Sequence, residues 1–181
     1  MSLKELTWEH HKNAERQEFV KELMGGITPE RYATFLFNQH PAYNTLEMLG
    51  MMHGLFDGVP ELRRAPRIHE DYQELWSEDF TQPALCKSVR EYMDHLMSIK
   101  DNADKLMAHI YVRHMGDLSG GQMISRKVPG KGLMYKFDRP VDELKEHIRS
   151  RINDDMAEEA KLCFDYATRL FQEMSGLMEN A

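Results

Sequence analysis

Apolar residues return at helical spacing along almost the whole chain, and the residues that interrupt them are ones that start or stop helices. Over 3–24 the apolar set is Leu3, Leu6, Ala14, Val20 and Leu23, and Gly25-Gly26 closes it. Thr28-Pro29 opens the next run, with a hydroxyl to cap the first turn and a proline whose missing N–H is harmless there. That run reaches Phe56, and Asp57-Gly58-Val59-Pro60 reads as a turn. Pro41 falls inside it and predicts a kink over 37–40, because proline removes one backbone donor and crowds the preceding turn. Pro66 and Gln82-Pro83 mark further starts. Helices are predicted over 84–99, 103–127, 140–152 and 155–178, with a loop at Pro129-Gly130-Lys131-Gly132. Strand alternation, internal repeats and low-complexity tracts are missing. The pattern predicts one all-α domain over 1–181.

One segment departs from this regularity. It opens at His109 as an ordinary helix, then places Gly116, Gly120 and Gly121 within six positions, with Asp117 among them. A glycine inside a helix costs roughly 1 kcal/mol against alanine. A helix terminus would account for them, since glycine is the commonest stop. Gln122, Met123 and Ile124 nevertheless continue in helix-forming residues, and no proline follows before Pro129, so a helix that bends and continues is predicted. Gly116 and Gly120 are four apart and share a face, with Asp117 and Gly121 on the neighbouring stripe. A bare backbone strip beside one carboxylate suits a flat ligand laid against the helix.

The run Gly116-Asp117-Leu118-Ser119-Gly120-Gly121-Gln122, preceded by His109, Tyr111 and Arg113, resembles the distal-helix signature of heme (haem) oxygenases. The N-terminus is similar to the same family at Leu3-Lys4-Glu5, Thr7, His11 and Ala14-Glu15. The likeness continues at Tyr43 and Leu46-Glu47, and again at Lys145, Arg149, Ser150, Arg151, Asn153, Ala160-Lys161, Phe164, Leu170 and Phe171. It runs in order along nearly the whole chain and is weak over 55–100. The resemblance implies a biliverdin-producing heme oxygenase: a helical bundle with heme sandwiched between a proximal N-terminal helix and a glycine-kinked distal helix. Heme b is then substrate and cofactor in one. O2 and electrons from an external donor open it to biliverdin, with the IXα isomer expected, carbon monoxide and Fe2+.

Nine histidines are present, and His53, His69, His95 and His147 lie in polar surroundings that read as surface. His10 and His11 are both candidates for the axial ligand of the heme iron. Periodicity slightly favours His10, four after Leu6 and four before Ala14; His11 stands four before Glu15, whose carboxylate could accept its other ring N–H. The family register selects His11. An imidazole ligand donates less electron density than a thiolate and pushes less hard toward O–O cleavage. The resemblance therefore implies oxygen delivery to a meso carbon of the porphyrin.

By the same resemblance, Gly116 and Gly120 let the distal helix press against the heme and steer O2, while Asp117 holds a water chain as a proton relay. Arg113 lies four before Asp117 and is expected to reach it, and Tyr43 joins this network. Tyr111, Gly121 and Phe164 fall at heme-contacting positions. Lys4, Lys145 and Arg149 match positions that hold the propionates, where charge-assisted bonds are strong. The chain departs from the family at Val112, His114 and Ala167, where Thr, Tyr and Asn are common, and at His40-Pro41 in the second helix. His114 could offer an alternative ligand, but an offset of two from Gly116 points it away from the glycine face.

Composition narrows the setting. A net charge of -7 argues against a nucleic-acid binder. No apolar stretch has the length of a membrane span, and Lys4, Glu5, Glu9 and His10 interrupt any signal-peptide core. Cys86 and Cys163 are too few for a disulfide framework, which fits a reduced cytoplasm. A monomer without a membrane anchor is expected. No nucleotide, flavin or iron–sulfur motif supplies electrons, so a separate donor must dock. Arg126, Lys127, Lys131, Lys136 and Arg139, against Asp138 alone, form a basic stretch that with Lys4 and Lys12 could receive an acidic ferredoxin. A bilin reductase is a possible partner downstream. Other classes are a non-catalytic heme carrier or sensor, which would share His11 and Lys145 without needing Asp117 beside three glycines, and a thiaminase-like hydrolase or di-iron protein on a similar helical scaffold, the chain having no Glu-x-x-His pair of the di-iron kind. A helical adaptor presenting its 14 methionines is the last; Met48, Met51 and Met52 read instead as lining a cavity.

Overall fold

Thr28 accepts the Arg31 N–H at 3.3 Å and so starts the longest helix, α4 (Pro29–Met52). The computed structural model describes residues 1–179, and every regular element among them is helical. Three short helices precede α4: α1 (Leu3–Leu6), α2 (Trp8–Glu15) and α3 (Glu18–Met24). The single helix expected over 3–24 is thus in three pieces, with Thr7 and Gln17 at the joints. Pro41 does not interrupt α4, whose buried residues Asn38, Gln39, Ala42 and Tyr43 clamp it on both sides of the lost backbone bond. The helix ends at Met52 rather than Phe56, and Met48 and Met52 are 54% and 80% exposed at its C-terminal end.

Helix α5 (Ala65–Leu75) begins with Pro66 in its first turn, as expected. Its N-terminus is capped from a distance: Glu47 of α4 accepts the N–H groups of Arg64 at 2.5 Å and Ala65 at 3.1 Å. Pro83 starts nothing; α6 (Lys87–Ser98) opens four residues later, where Asn38 accepts the Cys86 N–H at 2.7 Å. Asn102 caps α7 (Ala103–Leu118) through the Lys105 N–H at 3.0 Å. Ser119, at φ -107° and ψ -94°, then leaves helical geometry before α8 (Gly121–Ile124) resumes it. The chain therefore breaks and restarts at once, where a continuous bent helix was expected.

Helices α9 (Val141–Arg149) and α10 (Ala157–Glu179) complete the bundle. Helix α10 packs against α2, α3, α6 and α7, and α4 covers the other side against α5, α6 and α7. The loop after α8 is tied to α5 by two buried side chains. Asp71 accepts the N–H groups of Leu133 and Met134, and Arg64 donates to the carbonyls of Met134 at 3.0 Å and Lys136 at 2.7 Å. This clamp sets Tyr135 beneath the break in the distal helix. No helix of the described residues is long and apolar enough to cross a membrane.

Candidate active site

None of the three distal glycines has a positive φ, so backbone conformation does not require them. Packing explains one. A Cβ on Gly121 would lie 2.6 Å from the Tyr135 ring. Gly116 and Gly120 are exposed, and a Cβ on either would meet nothing within 4 Å. Nothing among the described residues demands glycine at these two positions, which fits a ligand from outside needing the bare backbone. Gln122 holds the break together by donating to the carbonyls of Asp117 at 3.0 Å and Tyr135 at 2.8 Å.

Asp117 lies next to this strip with 5% of its surface exposed. The Tyr43 hydroxyl donates to its Oδ2 at 2.7 Å. Burial pushes its carboxyl up to about 7, and the Tyr43 bond and the charges of Arg64 and Arg113 only partly oppose that. Such a group gains and loses a proton near neutral pH, as a relay must. Tyr43 is itself buried and held in the neutral form by burial and by Asp117.

Arg113 does not bond Asp117, contrary to expectation. Helical side chains lean toward the N-terminus, so its guanidinium runs away from the residue four ahead. Its Nε donates to the Tyr92 hydroxyl at 3.0 Å, and the group sits 4.3 Å from the Tyr92 ring centroid and 5.4 Å from that of Tyr43. It acts on Asp117 through its field. His114 points away from the glycine strip, as expected: its Nε2 is 2.9 Å from Glu47 in the core. Val112 is buried and Ala167 half-buried.

His11 is half-buried on α2. Its Nε2 meets Glu15 at 2.7 Å, and its ring stacks on Phe164 of α10 at 5.1 Å. In this rotamer Nδ1 is the nitrogen left for a metal, and a ring flip exchanges the two. His10 is tied instead to Asp165 of α10 at 2.9 Å. The Tyr111 hydroxyl on α7 meets the Thr7 side chain. Thr7 precedes His11 by about 6 Å of helix rise, and Tyr111 precedes Gly116 by about 7.5 Å.

Lys4 and Arg149 are exposed and Lys145 half-buried, and none of them forms an ion pair among the described residues. Helix α1, which carries Lys4, packs on the turn Asp154–Met156 just after α9, which carries Lys145 and Arg149. Arg126, Lys127, Lys131 and Lys136 are exposed. Arg139 is not free, being bonded to Glu143 and the Gly58 carbonyl, and Asp138 pairs with Arg67.

The residues that sequence reasoning missed are buried polar ones. His95, expected at the surface, is half-buried and bonded to Glu159, which also holds His109 at 2.8 Å. Arg64 and Asp71, the clamp beneath Tyr135, carried no local signal at all.

A family model described as heme oxygenase matches residues 1–173. Heme oxygenase 2 of Macaca fascicularis is 30% identical over 201 residues, covering 95% of this chain and 64% of that protein. Heme oxygenase of Guillardia theta is 28% identical, covering 96% of this chain and 85% of that protein. The chain thus spans 64% of the length of the heme oxygenase 2 relatives that it matches. Heme oxygenase from Leptospira interrogans superimposes with a TM-score of 0.77 at 27% identity, over 96% of this chain and 100% of that one. Heme oxygenase-1 from Synechocystis, crystallised with heme, gives a TM-score of 0.84 at 23% identity over 98% and 92%, which shows a shared fold.

Proposed function

The chain belongs to the heme oxygenase family, and from that premise we propose that it binds heme b against the Gly116–Gly120 strip and degrades it oxidatively. The products are biliverdin, carbon monoxide and Fe2+. The observation that carries this reading is the pairing of two exposed glycines, which no packing among the described residues requires, with a buried carboxyl poised near neutrality.

His11 takes the iron from the α2 side, with Glu15 orienting its ring and Phe164 limiting the ring's rotation. Lys4, Lys145 and Arg149 meet the two propionates at the rim, Tyr111 closes the edge where α7 approaches Thr7, and Gly121 seats the break on Tyr135. The bound heme supplies the redox chemistry, with O2 as oxidant and electrons from outside the chain. Gly116 and Gly120 leave space on the distal face and bring backbone close to the ring. Asp117 releases a proton into that space and regains it from solvent. Tyr43 holds one carboxylate oxygen and leaves the other to face water. The propionate contacts fix the ring's in-plane rotation, and α-meso attack giving biliverdin IXα is the expected outcome. Arg126, Lys127, Lys131 and Lys136 offer a basic face to an acidic ferredoxin.

The test mixes apoprotein with hemin, follows the Soret band, then adds ferredoxin, its reductase and NADPH. Loss of the Soret band with growth of bilin absorption supports the enzyme, and a Soret band that persists under reduction supports a carrier instead. His11→Ala weakens heme ligation. Asp117→Ala leaves the Soret titration unchanged and cuts bilin yield by about a hundredfold or more.

A further inference from the structure

About 12 Å before Asp117 along α7 lies a second polar centre that the proposed heme chemistry does not use. Three helices each deliver one side chain to it: His95 from the last turn of α6, His109 from the middle of α7, and Glu159 from the first turn of α10. Both histidines aim Nε2 at the same carboxylate oxygen, His109 at 2.8 Å and His95 closer still. One ligand atom from each of the three residues lies within 4.8 Å of the others. The His109 side chain is fully buried, whereas those of Glu159 and His95 are 10% and 20% exposed, so the cluster opens to solvent on the His95 side.

We propose that His95, His109 and Glu159 bind one divalent first-row transition-metal ion, with water completing the shell on the open side. Two imidazoles and one carboxylate with positions left over suit Zn2+ or Fe2+. Ligand atoms held about 2.1 Å from such an ion sit about 3.4 Å apart in tetrahedral geometry, so the His109–Glu159 contact widens by roughly 0.6 Å to admit it and the shorter His95–Glu159 contact by more. The supporting hydrogen bonds are already in place. His109 Nδ1 is 2.8 Å from the Tyr92 hydroxyl, which also accepts from Arg113 and lies 3.6 Å from Cys163 Sγ. With Nε2 on the metal, the ring proton moves to Nδ1 and donates to the Tyr92 oxygen, and the Tyr92 hydrogen turns to the Cys163 sulfur. Metal-bound histidines characteristically have such a partner on the other nitrogen. His109 is among the residues that carry the family resemblance, but none of the three is given a role in the proposed heme chemistry, so the tests of the two readings are separate.

Titration of the heme-free protein with Co2+, followed by visible d–d absorption, tests the site. The expected result is one Co2+ per chain, displaced by Zn2+. His95→Ala, at a partly exposed position, keeps the wild-type circular dichroism and weakens binding by at least about tenfold. His11→Ala leaves cobalt binding unchanged while weakening the Soret titration. Tyr92→Phe keeps the ligands and still lowers affinity. Absence of d–d bands, binding undiminished in His95→Ala, or binding lost in His11→Ala overturns the proposal.

Discussion

Asp117 on α7 and Glu159 packed against α7 are two largely buried carboxylates, yet they are driven in opposite directions. Burial pushes both up. At Asp117 burial prevails, because among the described residues the Tyr43 hydroxyl is the one side chain that donates to it, and the carboxyl reaches about 7. At Glu159, nearer the surface, two histidines share one oxygen and take it down to about 2. One helix thus carries a proton-exchanging acid toward its C-terminal end and a fixed anion's partner two turns earlier. The number of donors converging on a buried carboxylate decides whether it moves protons or holds other groups in place.

Replacing each acid by its amide sharpens this contrast most. Glu159→Gln leaves His109 and His95 with a weaker acceptor and destabilises by about 1–3 kcal/mol at pH 7, read by denaturant unfolding. Because the folded pKa of Glu159 is depressed, that loss is full above its ordinary 4.5 and fades as pH falls toward 2. Asp117→Asn has the opposite sign. The folded protein holds the Asp117 proton from its ordinary 3.8 up to about 7, so wild-type stability falls across that range while the amide's does not. The variant melts above wild type at pH 8.5 and level with it near pH 4. Equal responses of the two amides would break the comparison.

The glycines give the next largest effect. Gly121→Ala drives a methyl into the Tyr135 ring and costs about 1–3 kcal/mol. Gly120→Ala meets open space at φ -60° and stabilises the free protein by up to about 1 kcal/mol. The same Gly120→Ala lowers heme affinity, because the methyl occupies space proposed for the ring. Stability and Soret titration measured together separate packing from function.

A smaller change comes from Tyr43→Phe, which removes a bond that favours the Asp117 carboxylate. Its carboxyl then rises further, and under the proposed relay role the falling limb of bilin formation against pH is expected to move up with it. The least effect on either acid comes from Lys127→Glu with Lys131→Glu, both on the exposed basic stretch. These raise the KM for ferredoxin and leave the pH limb where it was, and an unchanged KM removes that surface as the donor's dock.

Short-range spacing was the dependable part of the sequence. Thr28 does cap a helix with Pro29 in its first turn, and His11 does meet Glu15 one turn away. Reasoning from spacing failed where a side chain had a distant partner to prefer. Arg113 has Asp117 at the right offset, yet bonds Tyr92, 21 residues away, because its side chain leans back along the helix. His95 looked like surface until α10 brought Glu159 to it across 64 residues. Ser119, not a glycine, carries the break, because Gly120 and Gly121 stay helical and Gln122 pins the restart.

Helical content, the glycine–aspartate strip and the histidine with its carboxylate neighbour follow from residues within a turn or two of one another, since one turn of backbone is enough to place them. The charge on each acid could not follow in that way. Tyr43 reaches Asp117 across 74 positions and His109 reaches Glu159 across 50. A carboxyl's affinity for its proton depends on the water removed from around it and the donors turned toward it, and both come into being only when remote helices close upon each other.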